Sequence, residues 1–525
     1  MKKSVMISLL LFIGIVLAAC SDEGSSNEES SNNEQNENNQ LNVSLAAEPV
    51  SLDPHAANDG NSLYVMNAMY DTLVEQNTDL EIQPALAESL EQIKDTVWEA
   101  KLREGVTFHD GSTFNAEVVK ANLDRVLDPE IGSPLAFLFD MIEEVEIIDD
   151  YTVHIKTEYP FSALPSHLAH PGGHMISLES INKDNEAIEN GEQPFTTIND
   201  HPVGTGYFQF EERSIDGEIS LAKNNEYWGE EAGVDSVTFR SVPEDQTRVA
   251  EIQTGNSDII YPVNANNVEE IDTNEGTYVK RSESASMTYV GFNVEREPFT
   301  DERVRQAIAM TINKDEIING TMNGIPIPAE SPLAPTVFGH SDRLQPIEQN
   351  VEEAKELLAE AGYKDGFETT VIAYDTTTSD IATVIQSNLQ QIGIQVEIQM
   401  TEIGNYLEVT GNGGADMFVG SWGTVTLDAD YGLYPMFHSA NAGSPGNRSF
   451  YANEEVDDLL EKARQEGNDE KRLELYQEAQ QIIINEAPIV PLYHSVLLAG
   501  LRDEVQGFYQ FPSSFPYLRD VTKEE

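Results

Sequence analysis

One cysteine in 525 residues limits what this chain can fold into, because no disulfide can form within it. That residue, Cys20, directly follows a Leu-Ala-Ala triplet. The chain starts with Lys2 and Lys3, and an apolar run occupies residues 5–16. A short basic start, an apolar segment too short to span a bilayer comfortably and small residues before a cleavage point are typical of a secretory signal peptide. They do not fit a transmembrane helix.

The position of Cys20 resembles the site of lipid attachment in bacterial lipoproteins. The resemblance implies that residues 1–19 are a lipoprotein signal peptide and that the lipidated Cys20 becomes the new N-terminus. The alternative is an unmodified cysteine near an ordinary signal-peptide cut. The mature chain is expected to be extracytoplasmic and lipid-anchored to the outer face of the cytoplasmic membrane. Its one thiol is then not free for thiol catalysis or for a cysteine zinc site.

The segment after Cys20 contains only Ser, Asp, Glu, Gly, Asn and Gln as far as Gln40. It has no apolar side chain to bury, so residues 20–40 are expected to form a disordered acidic tether. About 485 residues remain from Leu41 onward. One hydrophobic core rarely serves so long a chain, so two or three domains are expected. No other stretch approaches a membrane span.

The charge of the chain is strongly negative, with 92 acidic and 30 basic residues and a net charge of −62. Removal of the signal peptide takes away Lys2 and Lys3 and leaves 28 − 92 = −64. Such a surface repels nucleic acid and anionic lipid, so neither is an expected partner and the membrane is reached through the lipid anchor only. Spread-out carboxylates indicate a solvated surface rather than a cation site.

Periodicity indicates a mixed α/β fold. The clearest unit is a strand over residues 369–373, a helix over 381–392 and a strand over 394–400. A strand–helix–strand order predicts a parallel sheet with a right-handed crossover. The first half contains more strands and turns than the second, and two unlike lobes follow from that difference.

No motif of a hydrolase, zinc protease, P-loop protein or EF-hand is present. His167, His170 and His174 have helical spacing, but the Pro-Gly-Gly that follows His170 breaks any helix through them. A loop is therefore favoured over a metal site there. Asp428 and Asp430 could do acid–base chemistry only at a suitable separation in space, and a loop cap or a ligand contact is favoured. The expected protein is not an enzyme and has no metal or other cofactor.

Four segments, taken together, resemble the extracellular solute-binding proteins of ABC importers, family 5, which handle oligopeptides, dipeptides and nickel. Each segment alone is weakly specific, but their order and spacing match over nearly the whole mature chain. One departure is Tyr207, where the family often has proline, and it is expected to affect only a turn. The segments are 98–116, 202–210 with 225–229, 291–293 with 298–307, and 421–430 with 447–451.

The resemblance implies a two-lobed periplasmic-binding-protein-like fold of type II, with the ligand cleft between the lobes. The first lobe would hold residues 41–290 and 496–525, with an extra subdomain over about 85–199, and the second lobe residues 291–495. The chain would cross the hinge near residues 289–293 and 493–495. A monomer of this kind closes around a ligand and docks on an ABC permease and ATPase complex.

The ligand prediction depends on one position. Peptide binders of this family carry an aspartate three residues after the conserved tryptophan, and it pairs with the free α-amine of the peptide. Here the tryptophan is Trp422 and the third residue on is Val425. An ordinary dipeptide would lose a charge-assisted contact worth about 1.5–3 kcal/mol. The runs 423–434 and 446–451 are more similar to the glutathione-binding branch, so a short peptide such as glutathione is the expected ligand.

The candidate ligand-binding residues are Trp422 and six residues from these two runs. Arg448 would bind a carboxylate of the ligand in bidentate fashion, although a salt bridge within the scaffold is an equal alternative. The threonines would supply neutral donors, and the aromatic residues would wall the cleft or belong to the core. The full set is Trp422, Thr424, Thr426, Asp428, Asp430, Tyr431 and Arg448.

Two other functions stay open. The same fold could bind a nickel chelate or another non-peptide solute, which histidines near the cleft such as His170, His174 or His438 would support. A surface sensor or adhesin on this scaffold is the second alternative.

Overall fold

The computed structural model describes residues 39–57, 59–443 and 446–524. The predicted signal peptide, the lipidation site Cys20 and nearly all of the predicted tether lie outside these residues. In the part that is described, no helix is both long and apolar enough to cross a membrane.

The described chain contains both strands and helices, with several runs of consecutive strands. The strands are β1 (Gln40–Leu45), β2 (Val74–Gln76), β3 (Ile82–Pro84), β4 (Ala87–Lys94), β5 (Val97–Leu102), β6 (Ile142–Asp149), β7 (Thr152–Thr157), β8 (Phe208–Arg213), β9 (Ile219–Lys223), β10 (Ser236–Ser241), β11 (Ile259–Tyr261), β12 (Thr277–Phe292), β13 (Ile327–Pro328), β14 (Glu368–Ala373), β15 (Gln395–Met400), β16 (Met417–Gly423), β17 (Ile489–Arg502), β18 (Val505–Gln506), β19 (Tyr509–Gln510), β20 (Pro516–Tyr517) and β21 (Thr522–Lys523).

In chain order, the helices come between these strands. They are α1 (Gly60–Met69), α2 (Ala116–Leu127), α3 (Leu164–Leu168), α4 (Leu178–Glu189), α5 (Thr196–Asp200), α6 (Asp245–Thr254), α7 (Val268–Asp272), α8 (Glu302–Thr311), α9 (Lys314–Thr321), α10 (Val351–Glu360), α11 (Thr376–Gln390), α12 (Ile403–Gly411), α13 (Ala429–Phe437), α14 (Glu454–Gln465) and α15 (Asp469–Glu486). Short 3₁₀ turns cover Ala136–Leu138, Pro171–Gly173, Ala265–Asn267 and Ser439–Asn441.

One large mixed sheet carries the fold. Its strand order is β15-β14-β16-β12-β17-β11-β1-β10-β9-β8, and β13 adds to β17. A separate antiparallel sheet, β4-β5-β7-β6, lies within residues 87–157. The prediction of a mixed α/β fold is confirmed.

The predicted strand–helix–strand unit forms as expected. Strands β14 and β15 pair in parallel, with Val371 opposite Ile398, and α11 connects them. Asp375 caps α11, because its side chain accepts from the Thr378 N–H while its own N–H donates to the Thr378 hydroxyl oxygen. Such a capping box satisfies backbone donors that a helix start leaves free. Ile381, Ile385 and Leu389 face the core at helical spacing, which is the periodicity that the sequence showed.

The two longest strands, β12 and β17, pair antiparallel along the middle of the large sheet. The pairing places Thr288 opposite Tyr493 and Met287 opposite His494. The two segments where a hinge is expected are therefore neighbours in one ladder. The register shifts between Thr288 and Tyr289, so the ladder is irregular at this level.

Several hydrophobic cores lie on the sheets. One core contains Phe208, Val237 and Leu518, and another, beside the smaller sheet, contains Phe114, Phe139 and Leu164. Two further cores cover residues 285–493 in two groups. The loop after β16 lies where these cores meet, because Val425 packs against the first two and Trp422 against the second and a later one.

Candidate functional site

A cavity lies where the segment after α1 faces the loop after β16. Its volume is about 90 Å³. Acidic, basic, imidazole and phenol side chains all reach it, so it can contact a ligand of mixed charge. Its lining consists of Asn67, Tyr70, Asp71, Thr72, Glu75, Gln76, Ser166, Ala169, His170, Pro171, His174, Tyr207, Tyr227, Val425, Thr426, Phe511, Ser513, Phe515, Pro516, Tyr517 and Arg519.

The end of α1 and a glycine turn position the first acidic group of the cavity. The sequence predicts a helix over residues 61–74, but α1 ends at Met69 and the chain leaves in extended form. Gly206 donates to the Met69 carbonyl at 2.9 Å, and a Cβ at Gly206 would collide with that backbone. Because the turn approaches so closely, Thr205 reaches Asp71 and donates to it at 2.8 Å.

Asp71 is buried and bound only by neutral donors. Besides Thr205, Trp228 Nε1 donates to it at 2.9 Å and the Tyr227 hydroxyl at 3.1 Å. Burial raises the pKa of the Asp71 carboxyl, and these three donors hold it down in part. The carboxylate is thus stabilised by hydrogen bonds and has no cation directly against it among the described residues.

Glu75 lies four residues after Asp71, on β2, and lines the same cavity. It is half-buried, and its Oε1 accepts from Gln83 Nε2 at 2.7 Å. Burial raises the pKa of the Glu75 carboxyl, and the nearby Asp71 charge raises it further. Arg519 contributes the cation of the cavity, but its Nε is 3.1 Å from Asp520 Oδ1.

Two buried histidines form another part of the wall. His170 Nδ1 accepts from the Gly172 N–H at 2.9 Å, while His174 stacks on Tyr70 with ring centroids 5.7 Å apart. Burial lowers the pKa of both rings to about 3, so both are neutral near pH 7. Within the described residues, His170 Nε2 and His174 Nδ1 have no hydrogen-bond partner.

Of the predicted ligand residues, Thr426 lines this cavity, together with its neighbour Val425. The Thr426 carbonyl accepts from Gln76 Nε2 at 3.2 Å, which ties the loop to the opposite wall. Thr424 is buried behind the loop, with its backbone N–H bonded to the Ala285 carbonyl at 3.1 Å. Its side chain is thus not part of the lining.

Trp422 and Tyr431 support one another. Their rings stack with centroids 5.5 Å apart, and Trp422 Nε1 donates to the Tyr431 carbonyl at 3.1 Å. Tyr431 also stacks on Phe137 and lines a second cavity on the other side of the loop. Neither residue lines the first cavity, and only Tyr431 lines the second.

Asp428 is held by the scaffold. It caps α13 by accepting from the Asp430 N–H at 2.9 Å. Its carboxylate is also bound by Arg472, whose Nη1 and Nη2 lie at 2.9–3.1 Å from the two carboxylate oxygens. Both side chains are about 5% exposed or less, so the oxygens of Asp428 are used before any ligand arrives.

Asp430 lies at the second cavity. Arg464 Nε is 2.8 Å from its Oδ1. The two groups form a close ion pair, but their angle does not meet that of a hydrogen bond. His167 Nε2 lies 3.7 Å from its Oδ2. Burial raises the pKa of the Asp430 carboxyl, but Arg464 and His167 lower it more, so the net shift of the pKa is downward. The Arg464 guanidinium also lies over the rings of Tyr434, Phe161 and Tyr159.

Arg448 is turned toward a helix end. Its Nη1 donates to the Leu407 carbonyl at 2.7 Å and to the Thr410 hydroxyl at 2.8 Å. Neither of the two cavities just described includes it. His438 is also remote from the first cavity, with its Nε2 3.2 Å from Glu461 Oε1.

The chain matches the family described as "Bacterial extracellular solute-binding proteins, family 5 Middle" over residues 81–444. The chain belongs to this family. Its members bind solutes for ABC transporters and are not enzymes, so this chain is a non-enzymatic binding protein of an ABC importer. The family expectation from the four sequence segments is confirmed.

Curated relatives match nearly end to end. The "Glutathione-binding protein GsiB" of Pectobacterium atrosepticum is 33% identical over 92% of this chain and 94% of its own length. The protein of the same name from Salmonella typhi is 33% identical over 90% of this chain and 92% of its own length.

Solved structures show the same fold. HbpA2 from Haemophilus parasuis has a TM-score of 0.82 at 28% identity, covering 93% of this chain and 100% of that one. DppA from Helicobacter pylori, solved with the peptide STSA, has a TM-score of 0.80 at 30% identity, covering 93% and 98%. The two-lobed fold of type II predicted from the sequence is confirmed.

Sequence reasoning missed most of the cavity. Asp71, Glu75 and Arg519 are not candidates from the sequence, because no motif marks them and Arg519 lies far along the chain from the other two. The signal that the sequence offers for Thr205 is its place between Gly204 and Gly206, a pattern typical of a tight turn. Tyr207, expected to affect only a turn, contributes its side chain to the lining.

Proposed function

We propose that this family 5 protein captures short peptides, with glutathione as the leading candidate, and delivers them unchanged to the permease of its importer. The observation that carries the proposal is the cavity between the Val425–Thr426 loop and the segment after α1, residues 70–76, which we call the α1 wall. It combines carboxylates, a guanidinium and neutral donors, which are the groups that bind the ends and amides of a peptide. Relatives named for glutathione binding and a structural neighbour solved with the dipeptide Met-Leu support it.

The lobe boundaries enter the proposal in the form expected from the sequence. Asp71 and Arg519 belong to the proposed first lobe, 41–290 with 496–525, and Val425 and Thr426 to the second, 291–495. A ligand that contacts both sides stabilises the closed form by its greater affinity for that form. Closure is tested by small-angle scattering of the mature monomer, whose radius of gyration is expected to fall when ligand is added. An unchanged radius with bound ligand would contradict closure.

The ligand itself is tested by titration calorimetry on the chain that follows residue 20. The panel is glutathione, Met-Leu and nickel–histidine, each with a parallel melting curve. A ligand at 100 times its Kd stabilises the folded state by about 2.7 kcal/mol, which raises the melting temperature measurably. Glutathione is expected to give heat and a raised melting temperature. If nothing in the panel binds, the short-peptide proposal is wrong.

A nickel chelate is the second candidate, and a specific observation favours it. His170 and His174 line the cavity as neutral imidazoles, the form that binds metal. Among the described residues, however, no three histidine, cysteine or carboxylate side chains are grouped as a metal ion requires. The chelate would therefore have to bring its own ligands. Tight binding of nickel–histidine without binding of peptides would select this candidate.

Anchoring is proposed through a lipid on Cys20. Replacement of this residue by serine removes the thiol and is expected to release the protein from the membrane fraction into the medium or periplasm. Intact mass spectrometry of the wild-type protein should show the added acyl mass. An unmodified mass would refute the anchor and would leave peptide binding unaffected.

A further inference from the structure

The acidic wall of the cavity lacks a matching cation. Asp71 accepts from Thr205, Tyr227 and Trp228, which are all neutral donors. Glu75 accepts from Gln83 through Oε1, and its Oε2 makes no hydrogen bond within the described chain. Two carboxylates thus share one wall with only neutral partners bound to them. Such a wall favours a positive group on whatever occupies the cavity.

Arg519 compensates this charge only in part. It is the guanidinium of the lining, but Asp520 Oδ1 lies 3.1 Å from its Nε and Glu230 Oε2 lies 3.8 Å from its Nη2. One cation is therefore shared among carboxylates inside and outside the cavity. Its fork also faces solvent in part, with 20% of the side chain exposed. The lining as a whole is negative.

Elsewhere in the lining, a buried donor has no acceptor among the described residues. The Gly172 N–H occupies Nδ1 of His170, so the neutral ring carries its proton on Nε2. His170 is 1% exposed, and its Nε2 is one of the buried atoms without a partner among the described residues. A buried donor left without an acceptor costs free energy, so an acceptor supplied by a ligand is expected here.

We propose that Glu75, supported by Asp71, binds the free ammonium group of the ligand, and that His170 donates to a ligand oxygen. In this arrangement the α1 wall does the work that an aspartate at position 425 would do. The proposal rests on the peptide-binding function proposed above and narrows its ligand class. Peptides with a free amino group are accepted, whether α- or γ-linked, and peptides with a blocked amino group are rejected.

The test compares free and blocked ligands on the intact mature protein by calorimetry. The ligands are glutathione, N-acetylglutathione, Met-Leu and N-acetyl-Met-Leu. A hydrogen bond to a charged group corresponds to roughly a 10- to 150-fold change in affinity. Acetylation is expected to weaken wild-type binding by a factor in that range. This comparison needs no variant, so a folding defect cannot imitate it.

Glu75→Gln then locates the effect. The substitution keeps the shape and the bond to Gln83 but removes the charge, so it is expected to weaken the free peptides about as much as acetylation does. The acetylated peptides should bind Glu75→Gln and wild type equally. Glu88→Gln, on the exposed side of β4, is the matched control and should change nothing.

The outcomes separate the two proposals. If free and acetylated peptides bind wild type equally, peptide binding stands and the ammonium site is wrong. If acetylation weakens binding but Glu75→Gln does not, the ammonium is bound elsewhere and the assignment to Glu75 is wrong. If no peptide binds wild type, the proposed function falls and this assignment falls with it.

Discussion

Replacing Arg472 with methionine would remove the cation that binds the buried carboxylate of Asp428. The guanidinium contacts both carboxylate oxygens at 2.9–3.1 Å. The two side chains are 4% and 5% exposed, so water cannot take over these contacts. The guanidinium also lies 4.8 Å from the centre of the Phe338 ring, and methionine fills much of the same space. The variant therefore tests the charge more than the packing.

The expected cost follows from this geometry. Removal of one partner of a buried ion pair leaves an uncompensated charge and destabilises a protein by about 3–5 kcal/mol. Asp428 also caps α13, and a neutral asparagine there would keep most of the cap, which is worth about 1 kcal/mol. The double variant Asp428→Asn/Arg472→Met should therefore recover most of the stability that Arg472→Met loses.

Urea unfolding of the ligand-free protein measures all four members of this double-mutant cycle. The coupling energy of this cycle is expected to reach at least about 3 kcal/mol in size, the upper end of the usual range for contacting residues. The folded variants should bind the ligand with wild-type affinity, because the Asp428 oxygens are already used by Arg472. The reasoning is refuted if Arg472→Met loses less than about 1 kcal/mol, or if Asp428→Asn abolishes binding in a protein of normal stability.

Three further predictions follow from single contacts. Arg448→Ala should leave ligand affinity unchanged and cost about 1–2 kcal/mol of stability, because its guanidinium is engaged by the Leu407 carbonyl; weaker binding of carboxylate ligands, measured by calorimetry, would restore Arg448 to the site. Trp422→Phe should keep the stack on Tyr431 but lose the Nε1 bond, a cost of about 0.5–1.5 kcal/mol in urea unfolding, and a neutral result would show the bond is dispensable. His170→Asn should reduce the acid sensitivity of the fold. Burial lowers the pKa of His170 to about 3 in the folded state, against about 6.5 unfolded. The unfolded chain therefore binds more protons below pH 6.5, and stability falls as the pH is lowered toward 3. Between pH 7 and pH 5 the wild type should lose about 2 kcal/mol more than the variant; equal losses would mean that His170 is not held neutral.

The local sequence predicts a helix or strand well where one face of that helix or strand packs on a single hydrophobic core. Helix α11 shows buried residues at the spacing seen in the sequence, and α8 begins at the residue after Asp301, whose side chain caps it. Helix α1 was predicted too long, because residues 70–74 keep an apolar spacing while serving two different cores as extended chain. Periodicity reports which residues are buried but does not report which core they enter.

The residues of the candidate site also differ in whether their roles can be predicted from neighbouring sequence. Thr426 was found because its loop follows a recognisable tryptophan, and that loop does line the cavity. The role of Asp428 could not be read from its neighbours, since its partner Arg472 is 44 positions away on another helix. The orientation of Arg448 depends likewise on the Leu407 carbonyl of α12, which is 41 positions earlier in the chain.

Taken by itself, the sequence determined the family, the α/β class, the parallel unit around α11 and the lack of an aspartate at position 425. These properties are local in the chain, set by side-chain period, capping residues and motif spacing. Only the tertiary structure decided that Asp71, Glu75, His170 and Arg519 share one cavity with the loop after β16. The physical reason is that burial and charge pairing depend on distance in space, and the close approach of the 204–206 turn to the end of α1 brings distant segments to one point.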